Sequence, residues 1–284
     1  MNLSVFNTFL AIAETGQLNR AAEQLHVTQS TVTTRLNNLE AELGQTLFHR
    51  RKSGTELTSA GFRFQRYAQL MIDTWRQARQ ETALPAAIDT TFNLGCHHDL
   101  WQQRGDRIFE YLHESHPEVA ISCWSGDQPE LDRWLGSGLI DVALGFSTSQ
   151  RDHTTEYRLP ADRLVQVATR PRGRMRWDPA YIYVDSGESF RRQHALNFSD
   201  GDTPTVTLSS SVWAREYLLK QGGSGYLPLR LVSEDIKRQR LYRVTDVPEF
   251  ERNVYLEVRD DAMSDWPWFE KLLGLLHNIG EWND

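Results

Sequence analysis

The stretch AAEQLHVTQSTVTTRLNNLEAELGQTLFHR, residues 21–50, decides the fold of the first part of the chain. Two short helical patterns in it flank a break at residues 26–28. In the second pattern, apolar residues recur at spacings of four, three and four, which places them on one face of a helix: Val32, Leu36, Leu39 and Leu43. Thr28 stands where the N-cap of this helix is expected.

The opposite face of this predicted helix carries small polar side chains. At about 100° per residue, the residues that point away from the apolar stripe are Ser30, Thr33, Thr34 and Asn37. Acidic residues follow only from Glu40 onward. A slim polar face at the N-terminal end of a helix can enter the major groove of DNA and meet the base edges there. The alternative is an ordinary amphipathic surface helix with a solvated polar face.

Several short motifs at fixed spacings extend this pattern over some forty residues. They are Ala21-Ala22, Leu25, Thr28-Gln29-Ser30, Val32-Thr33, Leu39-Glu40, Leu43-Gly44, Leu47-Phe48-His49-Arg50 and Leu57-Thr58-Ser59-Ala60-Gly61. Together they resemble the winged helix-turn-helix of LysR-type transcriptional regulators. The family often has Arg where Thr34 stands. Thr34-Arg35, with residues 74–79 further on, resembles the branch that contains the H-NS-dependent flagellar operon regulator.

The resemblance implies a transcription regulator that binds double-stranded DNA through one helix and one wing. The expected helix contacts are Thr28, Gln29, Ser30, Thr31, Thr33, Thr34 and Arg35. Arg35 lies nearer the buried flank, so we expect it to contact phosphate rather than a base. Residues 46–57 predict a β-hairpin with a basic tip, from which Arg50 and Lys52 are expected to contact phosphate or the minor groove. The alternative for this basic tip is a solvated turn.

The net charge does not by itself indicate a nucleic-acid binder, but its distribution fits a small DNA-contacting end on an acidic body. The net charge is −7 over 284 residues, with +2 on residues 1–66 and −9 on the rest. Because the basic excess is modest, we expect DNA binding to depend on dimerisation. The two cysteines have no metal-ligand spacing, the first residues do not form a secretion signal, and no apolar run is long enough to span a membrane. A cytoplasmic protein is therefore expected.

A long helix is predicted from Thr58 to about Leu84, where Pro85 ends it. Apolar residues alternate along it at spacings of four and three, which is typical of a coiled-coil seam: Phe64, Ala68, Met71, Trp75 and Ala78. In the family this is the linker helix that forms the dimer, so two heads would read two-fold related half-sites. The alternative is a helix that packs on its own domain.

After residue 87 the pattern alternates between strand and helix, which indicates a doubly wound, mostly parallel α/β sheet. A helix is predicted from Asp99 to Glu114, directly after the first strand. The order of elements resembles the two-lobed, periplasmic-binding-protein-like effector domain of the family. The expected parts are a winged helix-turn-helix at 1–58, a linker helix at 59–85 and an effector domain at 90–284. Lobe I is expected at about 90–161 and 254–284, and lobe II at about 162–253.

A ligand site is expected in the cleft between these lobes. In open α/β sheets, ligands bind beyond the carboxyl ends of strands, where helix N-termini favour anions. The residues at the predicted strand ends are Cys96, His97, His98, Ser125, Phe146, Ser147, Ser186, Ser209 and Tyr226. We expect them to hold a small anionic effector such as a carboxylate. The alternative for the serines is that they are plain helix caps.

The residues Cys96-His97-His98 depart from the family, which usually has Ser or Thr at the first strand end. The departure is compatible with a different ligand, with pH sensing through histidine, with a metal site, or with no ligand at all. A metal would need further ligands, for which His113 and His116 are the candidates.

No enzyme motif is present: the chain has no P-loop, no Gly-x-Ser-x-Gly elbow, no Gly-x-Gly-x-x-Gly and no HExxH. No cofactor is implied either. The expected function is a LysR-type regulator, dimeric or tetrameric, that a small effector modulates. Two alternatives come from other classes. One is a solute-binding sensor whose DNA-binding head is not functional, and the other is a hydrolase that uses Ser209 or Ser224.

Overall fold

The computed structural model describes residues 3–51, 54–174, 178–198 and 203–278. The chain forms two compact units, Met1–Pro85 and Ala86–Asp284, which are described separately below. Within the described ranges, no helix has both the length and the apolar character needed to cross a membrane.

The first unit is a helical head with a small hairpin and one long helix. Its elements are α1 (Leu3–Thr15), α2 (Leu18–Gln24), α3 (Gln29–Leu43), β1 (Phe48–Arg51), β2 (Gly54–Leu57) and α4 (Ser59–Glu81). The strands β1 and β2 pair antiparallel and form the predicted wing. Thr28 caps α3 by accepting the N–H of Thr31, and Gly44 ends α3 in the left-handed region at φ 62°.

The apolar stripe of α3 is buried in the core of the head. Val32, Leu36 and Leu39 are each at most 4% exposed and belong to one cluster with residues of α1 and α2. Leu43, the fourth member of the predicted stripe, is 42% exposed because it stands at the end of the helix. Because the apolar face is buried, the opposite, polar face of α3 is the one exposed to solvent.

The structure corrects the predicted extent and packing of the long helix. α4 ends at Glu81, three residues earlier than the predicted Leu84. Its N-terminal half packs on the head: the Phe64 ring lies 5.0 Å from that of Phe9, and Ala68 is fully buried in the same cluster that Met71 contacts. Phe64, Ala68 and Met71 are thus occupied within the chain, as the alternative interpretation of this helix supposed.

The second unit alternates strands and helices. Its elements are β3 (Thr90–His97), α5 (Asp106–Ser115), β4 (Val119–Gly126), α6 (Gln128–Ser137), β5 (Val142–Gly145), β6 (Thr154–Ala168), β7 (Ile182–Val184), α7 (Glu188–Asn197), β8 (Val206–Leu208), α8 (Ser211–Gln221), β9 (Ser224–Pro228), α9 (Leu229–Lys237), β10 (Tyr242–Arg243), β11 (Phe250–Arg259), α10 (Asp260–Met263) and α11 (Phe269–Asn278).

The main sheet of this unit is mixed, which corrects the expectation of a mostly parallel sheet. In the described part of the chain it has seven strands in the order β10-β6-β11-β5-β3-β4, with β9 also paired to β6. β3 pairs parallel with β4 and β5, whereas β11 and β6 run antiparallel to their neighbours. The antiparallel pairs arise because the chain crosses between the lobes on β6 and returns on β11.

These two long strands belong to both lobes. β11 pairs with β6 along its whole length, and the end of β11 from Tyr255 to Val258 also pairs with β5 on its other side. The last residues of β6, from Leu164 to Ala168, pair with β9. One core lies around β3, α5 and α11, and further clusters lie around β7, β9 and α8. The register of β6 and β11 shifts between Arg252 and Val254, so the regular ladder is interrupted at the crossing.

The helix predicted from Asp99 to Glu114 begins seven residues late, because α5 starts at Asp106. The intervening turn is irregular, with Gln103 at φ 65°. The Asp106 side chain accepts the N–H of Gln103 at 2.9 Å, and the side chain of Asp99 is only 3% exposed. The break therefore turns Asp99 into the interior of the unit.

Candidate DNA interface and inter-lobe cleft

The polar face of α3 is exposed at its N-terminal end. Thr28, Gln29, Ser30 and Thr34 are exposed, whereas Thr31, Thr33 and Arg35 are partly buried. Since the apolar stripe fills the core on the other side, these seven predicted contact residues share one end of one helix. The structure brings them together as the sequence predicted.

The hydroxyl groups on this face are already hydrogen-bonded within the helix. The Thr28 hydroxyl lies 2.9 Å from those of both Ser30 and Thr31. Thr33 and Thr34 donate to the carbonyls of Gln29 and Ser30, each at 2.9 Å. Each hydroxyl can still accept a hydrogen bond. The Gln29 amide is the longest uncharged side chain of the set and the one suited to bidentate contact with adenine.

Arg35 points back toward the head. Its Nη1 donates to the hydroxyl of Thr8, a fully buried residue of α1, at 3.3 Å. This position fits the prediction that Arg35 does not reach a base. The hydrogen bond also ties α3 to α1, so the residue has a structural role whether or not it contacts phosphate.

The wing is tied to α3 by a side-chain hydrogen bond. Arg50 on β1 donates from Nη2 to the Asn37 amide oxygen at 2.9 Å, so the wing cation lies beside the exposed face of α3. Arg51 forms an ion pair with Glu56 across the hairpin at 3.1 Å, both groups being largely exposed. Lys52, the other predicted wing contact, lies outside the described residues.

Glu40 anchors the start of the wing, a role that the sequence did not reveal. Its Oε1 accepts the N–H of Leu47 at 2.6 Å and that of Phe48 at 3.2 Å. These two backbone donors have few other partners because the chain there is leaving α3 for β1. Glu40 belongs to the Leu39-Glu40 motif, but the spacing of the motif did not show which groups its carboxylate contacts.

The exposed part of α4 differs from the predicted seam. Of the five predicted seam residues, Trp75 is 51% exposed and Ala78 is also exposed, and Tyr67 is 48% exposed on the same helix. Trp75 borders a groove of about 470 Å³ that the first residues of α1 and the last turns of α4 line together. This surface, rather than the whole predicted seam, is open to a partner.

Two of the nine predicted effector contacts lie in the core, which corrects the expectation that they line a ligand site. Cys96 is 2% exposed and packs in the cluster of β3, and burial raises the pKa of its thiol. Tyr226 is fully buried in an aromatic cluster, and its hydroxyl donates to the carbonyl of Pro248 at 2.8 Å. Both side chains point into the core instead of toward the expected ligand site.

The remaining predicted contacts are scattered around the strand ends. The rings of His97 and Phe146 lie 4.7 Å apart, and His98 lies 4.1 Å from His97. Ser125, Ser147 and Ser209 are exposed, whereas Ser186 is 4% exposed and its hydroxyl has no partner among the described residues. Of the nine, only His97, His98 and Phe146 are shown in mutual contact.

His97 is neutral at physiological pH. Burial, followed by the neighbouring His98, lowers the pKa of His97 to about 4. Its Nδ1 accepts the N–H of Asp99 at 3.2 Å, which also requires the unprotonated nitrogen. A pH sensor built on this ring would respond only in strongly acidic solution. As for a metal, no three His, Cys, Asp or Glu side chains converge within the part of the chain that the structure describes.

The crossing between the lobes holds a buried ionic cluster that the sequence did not reveal, which we call the crossing cluster. It consists of Asp99, Arg104, Asp162, Arg230 and Arg252, none more than 7% exposed. Asp162 accepts from Arg230 at 2.8 Å and from Arg252 at 3.1 Å, and Arg104 lies 3.6 Å away. Burial alone would raise the pKa of Asp162, but these guanidinium groups hold it well below its usual value.

An aromatic ring also borders the crossing cluster. The guanidinium carbon of Arg252 lies 3.6 Å from the centroid of the Phe146 ring, which is a close cation–π contact. Since Phe146 also contacts His97, the cluster is continuous with the predicted effector residues. The residues between the lobes therefore carry a net positive charge from the crossing cluster, whereas the sequence predicted mainly serine hydroxyl groups there.

Both units match known protein families. Residues 3–62 match the family described as bacterial regulatory helix-turn-helix protein, lysR family. Residues 86–265 match the LysR substrate binding domain. The chain is 27% identical over 258 residues to the HTH-type transcriptional regulator HdfR of Shigella boydii, covering 90% of this chain and 91% of that protein. The resemblance drawn from the sequence motifs is confirmed.

Solved structures show the same architecture. CbnR, a LysR family transcriptional regulator, has a TM-score of 0.71 at 16% identity, covering 98% of this chain and 99% of that chain. DarR of Vibrio fischeri, solved in complex with DNA, has a TM-score of 0.58 at 20% identity, covering 98% of this chain and 99% of that chain. At these identities the likeness concerns the fold alone.

Proposed function

This chain belongs to the LysR family of bacterial helix-turn-helix regulators, and from that premise we propose how it reads DNA. It is a DNA-binding transcription regulator with a substrate-binding effector domain. The N-terminal end of α3 enters the major groove, where Gln29 and the hydroxyl groups of Thr28, Ser30, Thr33 and Thr34 contact base edges. The observation that carries this proposal is the exposed polar face of α3 beside a wing cation.

Phosphate contacts surround this base-reading face in the proposal. Asn37 holds Arg50 beside α3. The remaining N–H groups of Arg50 would then contact phosphate groups of the DNA strand that borders the major groove. The role of Lys52 rests on the sequence, which places it at the tip of the hairpin. Thr31 and Arg35 contribute at the edge of the face, where Arg35 is bonded to Thr8. Such contacts supply most of the salt-dependent affinity.

We further propose that two copies of the chain bind one operator. The head at 1–58 carries no net charge, with five Lys/Arg against five Asp/Glu, so a single head would bind weakly at physiological salt. The linker at 59–85 would join two heads through the exposed surface at Tyr67, Trp75 and Ala78. Two heads on one duplex would read two-fold related half-sites. Assembly to a tetramer would use the effector domains at 90–284.

The cleft between the lobes, about 90–161 with 254–284 and about 162–253, is the proposed effector site. The cationic crossing cluster favours a small anion, and the nearest predicted contacts are His97, His98 and Phe146. An effector that prefers one lobe arrangement would bias the spacing of the DNA-binding heads by linkage. Such a regulator works beside the chromosome, so we propose a cytoplasmic protein without catalytic activity.

The test uses capture of genomic fragments by the full-length chain, followed by footprinting of a captured site. Gln29→Ala should weaken binding to that site by about 1–3 kcal/mol and relax the preference at one base pair. Lys52→Ala should weaken binding to every sequence alike and lower the salt slope by about 1. Gln221→Ala, which removes the same amide from an exposed position at the end of α8, is the matched control and should leave the footprint unchanged.

The result that contradicts the proposal is equally specific. If Gln29→Ala and Gln221→Ala bind the captured site with the same affinity, α3 does not read bases through this face. If the chain captures no fragment at all, the head has no operator and the chain would be a solute-binding sensor. If the affinity of the variants depends only on the number of charges removed, the head binds DNA without sequence specificity.

A further inference from the structure

The carboxylate of Asp99 occupies the N-terminus of helix α8. Asp99 follows directly after the end of β3, yet its Oδ1 accepts the Ser211 N–H at 3.0 Å and its Oδ2 accepts the Ser211 hydroxyl at 2.8 Å. The Ser210 hydroxyl, at the N-cap of α8, lies 3.4 Å from Oδ1. Exposed N–H groups at a helix N-terminus are a ready position for an anion. Here the chain supplies that anion itself.

These contacts join the two lobes. Asp99 stands at the end of a strand whose core lies with β4 and α5, whereas Ser210 and Ser211 begin a helix that packs with β7 and β9. On the other side, Arg230 of α9 donates from Nη2 to the backbone carbonyl of Asp99 at 2.5 Å and from Nη1 to that of Gln102 at 2.7 Å. The turn that begins at Asp99 is thus held by side chains from across the cleft.

The charges around Asp99 show that an anion is needed at this point. The crossing cluster contains three arginines and two aspartates, so it keeps one excess positive charge while being more than nine-tenths buried. Arg252 lies 3.7 Å from Asp99 Oδ2. Arg252 Nε and Arg104 Nε and Nη1 are buried without a partner among the described residues. Removing the Asp99 carboxylate would raise the excess to two charges.

We propose that Asp99 is a built-in ligand, whose carboxylate fills the anion position of the inter-lobe cleft and holds the two lobes together. An external effector of this chain is then a small carboxylate that competes with Asp99 for Ser210, Ser211 and Arg252. This regulatory consequence rests on the proposed function, whereas the occupancy of the position by Asp99 does not. The buried, unpartnered N–H groups of Arg104 and Arg252 are further donors that such a competitor would gain once it displaces Asp99.

The test is chemical rescue of an emptied position. Asp99→Ala removes the carboxylate and leaves a space that formate fits. Thermal melting of the full-length variant is followed during titration with sodium formate, against sodium chloride at the same ionic strength. We expect a lower melting temperature than wild type. Formate should then raise it by about 2–5 °C for each tenfold increase above its Kd, and chloride should not.

Two comparisons make the rescue specific. In Asp99→Asn the amide fills the same space without charge, so formate should not raise its melting temperature. Wild type should respond to formate only at far higher concentrations, because its tethered Asp99 carboxylate already occupies the position. The proposal is overturned if formate stabilises all three proteins equally, or if it does not stabilise Asp99→Ala. If Asp99→Ala does not fold, refolding from urea replaces melting, and recovery that depends on formate supports the proposal while its absence overturns it.

A DNA footprint separates this inference from the function it builds on. A footprint of Asp99→Ala that changes on adding formate supports the regulatory role of the built-in ligand. If formate raises the melting temperature of Asp99→Ala but leaves its footprint unchanged, Asp99 still fills the anion position, but its regulatory role is overturned. Failure of wild type to bind any operator would contradict the proposed function alone, since the melting titration does not involve DNA.

Discussion

The Glu40 carboxylate on α3 accepts the backbone N–H of Leu47 at 2.6 Å, and this contact joins α3 to the start of the wing. Oε1 also accepts the N–H of Phe48 at 3.2 Å, so one oxygen holds two successive backbone donors. Because hydrogen bonds to a charged acceptor are stronger than neutral ones, this carboxylate sets the angle at which the wing leaves the helix. The wing cation Arg50 follows two residues later.

Replacing Glu40 should therefore loosen the wing. We expect Glu40→Ala to lower the free energy of unfolding of the head by about 1.5–3 kcal/mol, because two partly buried N–H groups lose their acceptor. Glu40→Gln should cost less because the amide oxygen still accepts. Urea unfolding measures both. Glu42→Ala, an exposed change on the same helix, is the control, and an equal loss in that variant would show that the carboxylate contact is not responsible.

The pair Arg50 and Asn37 should behave as one unit in DNA binding. Asn37→Ala removes the acceptor that orients Arg50, so it should weaken binding even though Arg50 is intact. In an Arg50→Ala background the same change should have little further effect. The coupling energy expected from a double-mutant cycle is about 0.5–1.5 kcal/mol, measured by fluorescence anisotropy. Asn38→Ala, at an exposed neighbouring position, should add independently. Strict additivity for Asn37 and Arg50 would contradict the proposed unit.

Gly61 is required by the close approach of α4 to the wing. A Cβ at this position would lie 2.1 Å from the Leu47 carbonyl oxygen, and that oxygen already accepts the N–H of Thr58. Gly61→Ala should destabilise the head by about 1–3 kcal/mol through overpacking. Gly274→Ala meets no heavy atom within 4 Å on α11, and its higher helix propensity should stabilise by up to about 1 kcal/mol. Melting curves in which both variants shift alike would refute the steric argument.

The free energy of unfolding should fall in mildly acidic solution because of two partly buried histidines, His97 and His194. Burial lowers the pKa of His194 to about 4, and burial with His98 lowers that of His97 to about 4. In the unfolded chain both would titrate near about 6.5. Between these values the unfolded state binds more protons, so their contribution is fully present above about pH 6.5 and is lost as the pH falls toward about 4.

The variant that tests this dependence is His194→Gln. The amide does not titrate, and it can still bond the Tyr181 hydroxyl that lies 2.8 Å from His194 Nε2. Urea midpoints measured from about pH 7.5 to about pH 4.5 should decline less steeply than in wild type. His113→Gln, an exposed change on α5, serves as the control. A slope that His194→Gln leaves unchanged would show that this ring does not contribute.

Local chemistry was enough to predict the head. The spacing of Val32, Leu36 and Leu39 and the cap at Thr28 each act within a few residues, and each is found as predicted. The α/β order of the second unit was predicted for the same reason, since strand and helix have different periods. The helix from Asp99 failed because long-range contacts overrode a favourable local pattern.

By itself, then, the sequence determined the helix-turn-helix, the exposed polar side of α3 and the alternation of strand and helix in the second unit, because periodicity and capping are properties of neighbouring residues. Only the tertiary structure decided that Phe64 and Ala68 pack on the head and that Cys96 and Tyr226 lie in cores. It alone brought Asp99 to Ser211 and Arg230, which are 112 and 131 residues away along the chain. The free energy of such a buried charge cluster depends on which groups surround it after water is excluded. The spacing of residues along the chain does not show which groups these are.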